Sequence, residues 1–505
     1  GEDLSEDQLE QLLGTAYVDI RTGFSVRPSF GSKIAGEEVS ATIMSEGLRG
    51  ALAGFKGWDL LKFPESMPLV HFADESSRQM LIVSQLVSKQ KMEIDKMLEA
   101  RQSYWKRHPN QAKIQATQTD TINNRLTAQL KVSWKNSVEG ANEFIIQEGL
   151  VQQEKDRYFL LTLVGSGGED KEKAAEVLMK SVAANFVCMS RQEQRARWEQ
   201  ARKRGELLLG SLDFHGLREL MLDESWFRIL RGGEDIGYMQ IRGQLGGDGY
   251  LIPVTQATPL TLEIYELEIT VDIQSYVNNH ADAVKLARML DCGQGLSNGK
   301  GLGGEQARRR DNNNLIRVNF NSTLLDSMAT EYFFYDYQGG EDYRYRESGE
   351  WNRGILKAVR FDDPQDRGAS TVETLEVNNK LYLPGVTGHM LGLILPPEAG
   401  LEFVFLRYSN RALRHYAVRV AGQEELEVET SAAGTGQRSG GRRKVSTWYI
   451  VGQAGAGGPI VETWVDQDGY TLRQRAEGLE LRRSTKEDLK KLWPGKIRDE
   501  FEYEK

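Results

Sequence analysis

The 505-residue chain carries 64 basic against 73 acidic side chains, a formal net charge of -9, so it lacks the positive field that a general phosphate-backbone binder needs to release counterions. With 39% hydrophobic and 27% charged residues it has the composition of a folded globular protein, which excludes wholesale disorder, and its length predicts two or three domains. No apolar run approaches the ~20 residues that span a bilayer as a helix. The two cysteines, Cys188 and Cys292, form no Cys-x-x-Cys for zinc or redox work, and the opening Gly1 predicts a processed or trimmed chain.

In chain order, Ser5, Glu6, Asp7 and Gln8 read as a capping box before a short helix with Leu9, Leu12 and Leu13 on its apolar stripe. Strands follow at 17–20 and 24–26. Residues 88–107, with Met92, Ile94, Met97, Leu98 and Trp105 among many charges, predict a helix that His108 and Pro109 stop. From Leu126 the period changes to two. Leu126, Ala128, Leu130, Val132 and Trp134 share one face, and Thr127, Gln129, Lys131, Ser133 and Lys135 share the other, as in a half-buried antiparallel strand. Strands at 144–151 and 157–164 precede a helix with Ala174, Val177, Leu178, Ser181 and Val182 on its stripe. Residues 1–189 thus read as a sheet covered by helices. Residues 190–215 read as a connecting helix, whose run of Arg191, Arg195, Arg197, Arg202, Lys203 and Arg204 is mixed with Glu193, Glu199 and Glu206, a solvated face more than a polyanion site.

Residues 216–505 are almost wholly β in pattern. A hairpin spans 226–241, and Tyr265, Leu267, Ile269, Val271 and Ile273 alternate with Glu266, Glu268, Thr270, Asp272 and Gln274. The glycine-rich stretch at 291–313 predicts a long loop. Strands resume at 315–320, 331–337, 343–347, 354–361, 372–377, 403–408 and 416–420; a second glycine-rich loop, 431–444, precedes a strand at 446–451. At 461–465 a strand leads into the tight turn Asp466, Gln467, Asp468, Gly469. Charged strands at 470–475 and 477–483 and a helix from Ser484 to Trp493 complete what reads as the closing edge of one large curved sheet. The predicted class is α+β: an N-terminal α/β sandwich with an antiparallel sheet, then a large curved antiparallel sheet, a half-barrel, with helices.

Candidate chemistry is sparse. Gly295, Ser297 and Gly299 match a nucleophile elbow, which requires a strand before the serine, whereas the preceding pattern is helical. Gly299, Gly301 and Gly304 match a dinucleotide fingerprint without a βαβ unit around it. His215, Glu219 and Asp223 fall at helical spacing for a shared metal, and a solvated polar face accounts for them as well. Asp466, Asp468 and Gly469 imitate part of a calcium loop, but Trp464 and Arg475 occupy its end positions. The aromatic run Tyr332, Phe333, Phe334, Tyr335, Tyr337, Tyr343, Tyr345 and Trp351 is flanked by acids, which opposes base stacking and favours sheet core or the lining of an apolar cavity. No cofactor and no metal is implied.

Two resemblances complete the reading. Glu224, Ser225 and Trp226, the hairpin Asp235, Ile236, Gly237, Tyr238 and Met239, the segment 462–469, and Arg483 to Asp488 resemble the LolA-like curved-sheet periplasmic carriers and related secreted bacterial domains. Gly23 to Pro28, Arg157 to Leu163 and a helix ending at Phe186 are similar to the PsbP-type α/β/α sandwich, a family of binding and assembly modules. The resemblances imply a non-enzymatic extracytoplasmic protein, periplasmic or secreted, holding a lipid or other apolar ligand on a concave face, for which Ile229, Tyr238, Ile269, Phe334 and Trp464 are the candidate residues. Two alternatives stand beside it: a scaffold that meets a protein partner through the loops at 291–313 and 431–444, and a hydrolase using Ser297.

Overall fold

The computed structural model describes residues 12–34, 66–74, 77, 79–88, 91–107, 112–122, 125–134, 144–166, 168–212, 224–231, 233–249, 262–273, 316–325, 330–339, 343–352, 354–361, 370–388, 390–409, 412–429, 442–455, 458–476, 478–494 and 497. The capping box at Ser5, the loop at 291–313 with Ser297, and His215, Glu219, Asp223 and Cys292 lie outside these residues. The chain divides into two compact units, Gly1–Glu199 and Gln200–Lys505. Its class is α+β, mainly antiparallel β.

In the first unit β1 (Tyr17–Asp19) and β2 (Phe24–Val26) form a small antiparallel sheet with β10 (Val187–Cys188). The main sheet has seven antiparallel strands, β3 (Lys33–Ile34), β4 (Ser66–Asp74), β5 (Gln79–Val87), β6 (Ala112–Ile122), β7 (Arg125–Trp134), β8 (Phe144–Glu154) and β9 (Arg157–Ser166), in the order β3-β4-β5-β9-β8-β7-β6. Helix α1 (Ile94–Lys106) starts later than the expected residue 88. The reason is local: Ser88 N–H donates to the Asp156 carbonyl at 2.9 Å and Met92 N–H to that of Lys155 at 2.7 Å, which ties the approach to the β8–β9 turn.

Ala128, Leu130, Val132 and Trp134 pack with Met80, Ile82 and Leu160 against Ile94, Met97, Leu98 and Trp105 of α1. The other face of β7, expected to be wet, is covered: Thr127 and Ser133 are buried, and the Lys131 ammonium lies 3.4 Å from Glu172 of α2 (Glu169–Ala184). Short polar side chains and one snorkelling lysine write a solvent-like pattern on a face that is closed. On α2 the buried stripe is Ala175, Leu178, Met179 and Val182, while Ala174 and Val177 are exposed, because Met179 lies over Gly149 of β8, where a Cβ would come within 2.8 Å of its Cε.

Helix α3 (Arg191–Ser211) leads into the second unit. There fourteen strands form one antiparallel sheet: β11 (Glu224–Arg231), β12 (Glu234–Gly249), β13 (Leu262–Ile273), β14 (Ile316–Leu325), β15 (Thr330–Gly339), β16 (Tyr343–Asn352), β17 (Ile355–Phe361), β18 (Ser370–Glu376), β19 (Glu402–Ser409), β20 (Ala412–Glu429), β21 (Arg442–Ala454), β22 (Ile460–Val465), β23 (Thr471–Ala476) and β24 (Leu479–Ser484). Short helical turns α4 (Gly385–Gly388) and α5 (Leu391–Ile394) separate β18 from β19, and α6 (Lys486–Leu492), capped by the Thr485 side chain, follows β24.

The order is β18 to β11 in one meander and β24 to β19 in another, joined where β24 pairs with β11. The 461–483 segment, expected at the closing edge, is therefore central: its last strand has β23 on one side and β11 on the other. The sheet also curls. Residues after β18 run beside β19, with Leu383 N–H donating to the Leu406 carbonyl at 2.8 Å, and the Tyr408 ring of β19 lies tilted against that of Phe333 of β15 at 5.7 Å. The end strand β19 thus touches β15 and, through Tyr408 and Arg360, β17 near the opposite end of the ladder, although β18 and β19 do not pair. Beneath β19 to β22 lies a core of Phe403, Phe405, Tyr416, Val418, Ile450 and Val465, which Leu208 and Leu209 of α3 also cover.

Candidate functional site

Register decides which of the five candidate residues share a face. Trp464 is opposite Arg473, Arg473 opposite Arg482, Arg482 opposite Arg228, and Arg228 opposite Tyr238. Through Asn321, Glu268 and Arg242, the register position of Phe334 joins that same face. Ile229 pairs with Gly237 and Ile269 with Ile241, one residue out of phase, so these two belong to the other face. The five do not line one surface. Ile229, Tyr238 and Trp464 are all buried; the side chains of Ile269 and Phe334 lie outside the described residues. Tyr238 packs with Trp226 beneath Leu489 of α6.

Where the sheet ends meet, the interior is polar and paired. Arg360 of β17, 6% exposed, donates from Nε to Glu347 Oε1 at 3.0 Å and from Nη2 to the Tyr408 hydroxyl at 2.7 Å and to Glu373. The Tyr408 hydroxyl donates to Glu347 Oε1 at 2.6 Å. Burial works against the Arg360 charge, but Tyr408 and Glu347 outweigh it and hold the guanidinium protonated. Nearby, Glu331 accepts from the Tyr382 hydroxyl at 3.2 Å and from the Gly385 N–H at 2.6 Å, while the Tyr382 ring lies 4.5 Å from that of Trp351. Burial first, and then the Glu331 charge, push the Tyr382 phenol well above its ordinary range.

A second network surrounds Trp464. Its ring stacks on Tyr449 at 5.1 Å and lies 5.2 Å beneath the Arg475 guanidinium, and its indole N–H donates to Glu424 at 3.0 Å. Arg475 grips Glu462 with two bonds of 2.8 Å, and the Tyr449 hydroxyl donates to Glu462 at 2.8 Å. Burial pushes the Glu462 carboxyl up against the pull of Arg475 and Tyr449. In both networks the ionisable groups hold one another, a structural arrangement more than a reactive one.

The surface differs. β19 pairs with β20 only over Ala412–Arg419, and β22 pairs with β21 only over Trp448–Gln453. Residues 424–429 and 442–447 continue as a two-stranded ribbon of about 20 Å. Among the described residues neither outer edge of its far part has a ladder partner. One face carries Glu425 and Glu427 of β20 against Lys444 and Arg442 of β21, with Lys444 Nζ 2.8 Å from Glu425 and Arg442 3.8 Å from Glu427, all four exposed. The other face packs Leu426 and Val428 against Trp464 and Leu472. The expected 431–444 loop is thus strand from Arg442 onward. The sign that could have found it was the alternation of acids at 425, 427 and 429 opposite bases at 442 and 444.

At the root of the ribbon is a cavity of about 100 Å³ with Trp448, Pro396, Pro397, Asp466, Gln467 and Asp468 in its lining. The Asp466 carboxylate accepts from the N–H groups of Asp468 at 3.1 Å and Tyr470 at 2.9 Å, and Gly469, at φ +89°, completes the turn. The aspartates thus shape a turn, as the failed calcium spacing implied.

No protein-family model and no curated protein matches the chain. Among solved structures it is similar to the cyanobacterial PsbP of Synechocystis, at 15% identity over 35% of this chain and 94% of that one, with a TM-score of 0.24. It is similar to the Ran-binding protein Mog1p of Saccharomyces cerevisiae, at 11% identity over 33% and 91%, TM-score 0.22. A third likeness is to a β-barrel-like protein of a domain of unknown function from Brucella abortus, at 9% identity over 52% and 94%, TM-score 0.28. The PsbP-type resemblance has a counterpart here, and the LolA-type one has none among these three. Likenesses of this degree carry no functional argument. No helix among the described residues is long and apolar enough to cross a membrane.

Proposed function

We propose that this chain is a non-catalytic binding module whose partner is another protein, met by the β20–β21 ribbon and its root. One observation carries the reading: an ordered ribbon with one charged outer face, and with no ladder partner on its outer edges among the described residues, extends from a sheet whose described interior is packed and internally paired. Open strand edges are sites of strand addition, and alternating charges on the ribbon restrict which strand can add. The cavity at the ribbon root, about 100 Å³, is far smaller than the several hundred Å³ of ordinary ligand sites, so that cavity by itself does not house an acyl chain. An extracytoplasmic setting belongs to the proposal on resemblance alone.

The test is quantitative capture from the native host with the wild-type chain and with the E425K/K444E double variant, which reverses the sign of both members of that exposed ion pair. A stoichiometric protein lost on inversion is the expected result. Lipid retained in native mass spectra of both forms, with no such protein, overturns the reading and restores the carrier.

A further inference from the structure

The cavity at the ribbon root carries a more specific assignment. Its lining includes the acidic residues Asp466 and Asp468 and no basic residue. Neither aspartate has an ion-pair partner among the described residues, and Asp468 is exposed. Trp448 is only partly buried against the core beneath it, so its ring forms part of the wall. Pro396 and Pro397 supply further apolar wall and have no N–H to satisfy. At about 100 Å³ the cavity has room for the end of one long side chain.

We propose that this cavity takes the side-chain cation of a lysine or arginine from the partner protein, with its methylenes along Trp448 and the prolines and its charge beside Asp466 and Asp468. An aromatic wall attracts a cation through its quadrupole, and carboxylates without an ion-pair partner among the described residues add Coulomb attraction that salt screens. A neutral apolar occupant would leave the carboxylate rim partly desolvated with no return. The inference deepens the protein-partner reading and rests on it for the source of the cation.

The test uses the full chain and small probes: N-acetyl-lysine methylamide and N-acetyl-arginine methylamide, with N-acetyl-norleucine methylamide as the neutral control. The Trp448 indole N–H resonance, assigned by its disappearance in W448F, is followed by NMR. The expected result is a saturable, salt-sensitive shift with the basic probes, absent with norleucine, and weakened about tenfold in D466N/D468N. The Asp466→Asn change keeps an oxygen acceptor for the turn, and an unchanged melting temperature verifies the fold. No shift, equal response to norleucine, or unchanged affinity in D466N/D468N each overturns the assignment. If native-host capture fails while the probes bind, the partner reading alone falls; if capture succeeds while the probes do not bind, the cavity assignment alone falls.

Discussion

Glu148→Gln in the first unit is the sharpest stability test. Arg101 of α1 and Glu148 of β8 each have side chains 1% exposed, with Arg101 Nε 2.7 Å from Glu148 Oε2 and a second bond to Oε1. The Trp105 indole N–H also donates to Oε2, at 3.2 Å. Removing one charge leaves the guanidinium buried without its counter-charge, a loss of about 3–5 kcal/mol. In a unit of this size that lowers the melting temperature by roughly 6–20 °C. The double variant R101M/E148L removes both charges and keeps the volume apolar. Its cost is expected to be only about 1 kcal/mol, from the indole N–H that loses its acceptor. Calorimetry reads the melting, and hydrogen exchange of residues 80–164 assigns the transition to this unit. A loss below about 1 kcal/mol for Glu148→Gln, or a double variant less stable than the single, refutes the account.

Three further outcomes are expected. Burial first, then Glu331 and Glu462, raise the Tyr382 and Tyr449 phenols above 10.0, so the folded state holds these protons more tightly than the unfolded one. Their contribution is complete below pH 10 and is lost as pH rises above it, at about 1.4 kcal/mol per pH unit for each; guanidinium midpoints between pH 9 and 12 should fall accordingly, and a flat profile, or the same slope in Y382F/Y449F, contradicts this. Gly205→Ala, which helix propensity favours by about 1 kcal/mol, should instead destabilise by about 1–3 kcal/mol, because a Cβ there would lie 2.2 Å from the Val404 carbonyl oxygen; thermal melting checks the sign. Burial pushes the Cys188 thiol up to about 12, so peptide-resolved alkylation at pH 8 should label it only after unfolding.

Much of the strand sequence was legible because alternation survives wherever one face is apolar, as in Ala128, Leu130, Val132 and Trp134. Pairing partners were not. Nothing local distinguishes a central strand such as Leu479–Ser484 from an edge, since its six residues carry the charges of an exposed strand and pair with residues far away in the chain. The ribbon was hidden for a related reason: glutamates and arginines are weak strand formers, and what holds them extended is their opposite number across the ladder. Face assignment failed for Ile229, Tyr238, Ile269, Phe334 and Trp464 because phase passes from strand to strand only through register.

The β11–β24 ladder has a temporal consequence. Every other junction in the fourteen-stranded sheet joins strands consecutive in the chain, whereas this one brings together residues roughly 250 positions apart. Loop-closure entropy grows slowly with length, but it is met before the contacts that repay it are made. On the ribosome, the first meander is synthesised long before its neighbour β24 exists. Until then Trp226 to Arg231 is an unfinished edge, and the interval before it is covered is when this protein has most need of a chaperone.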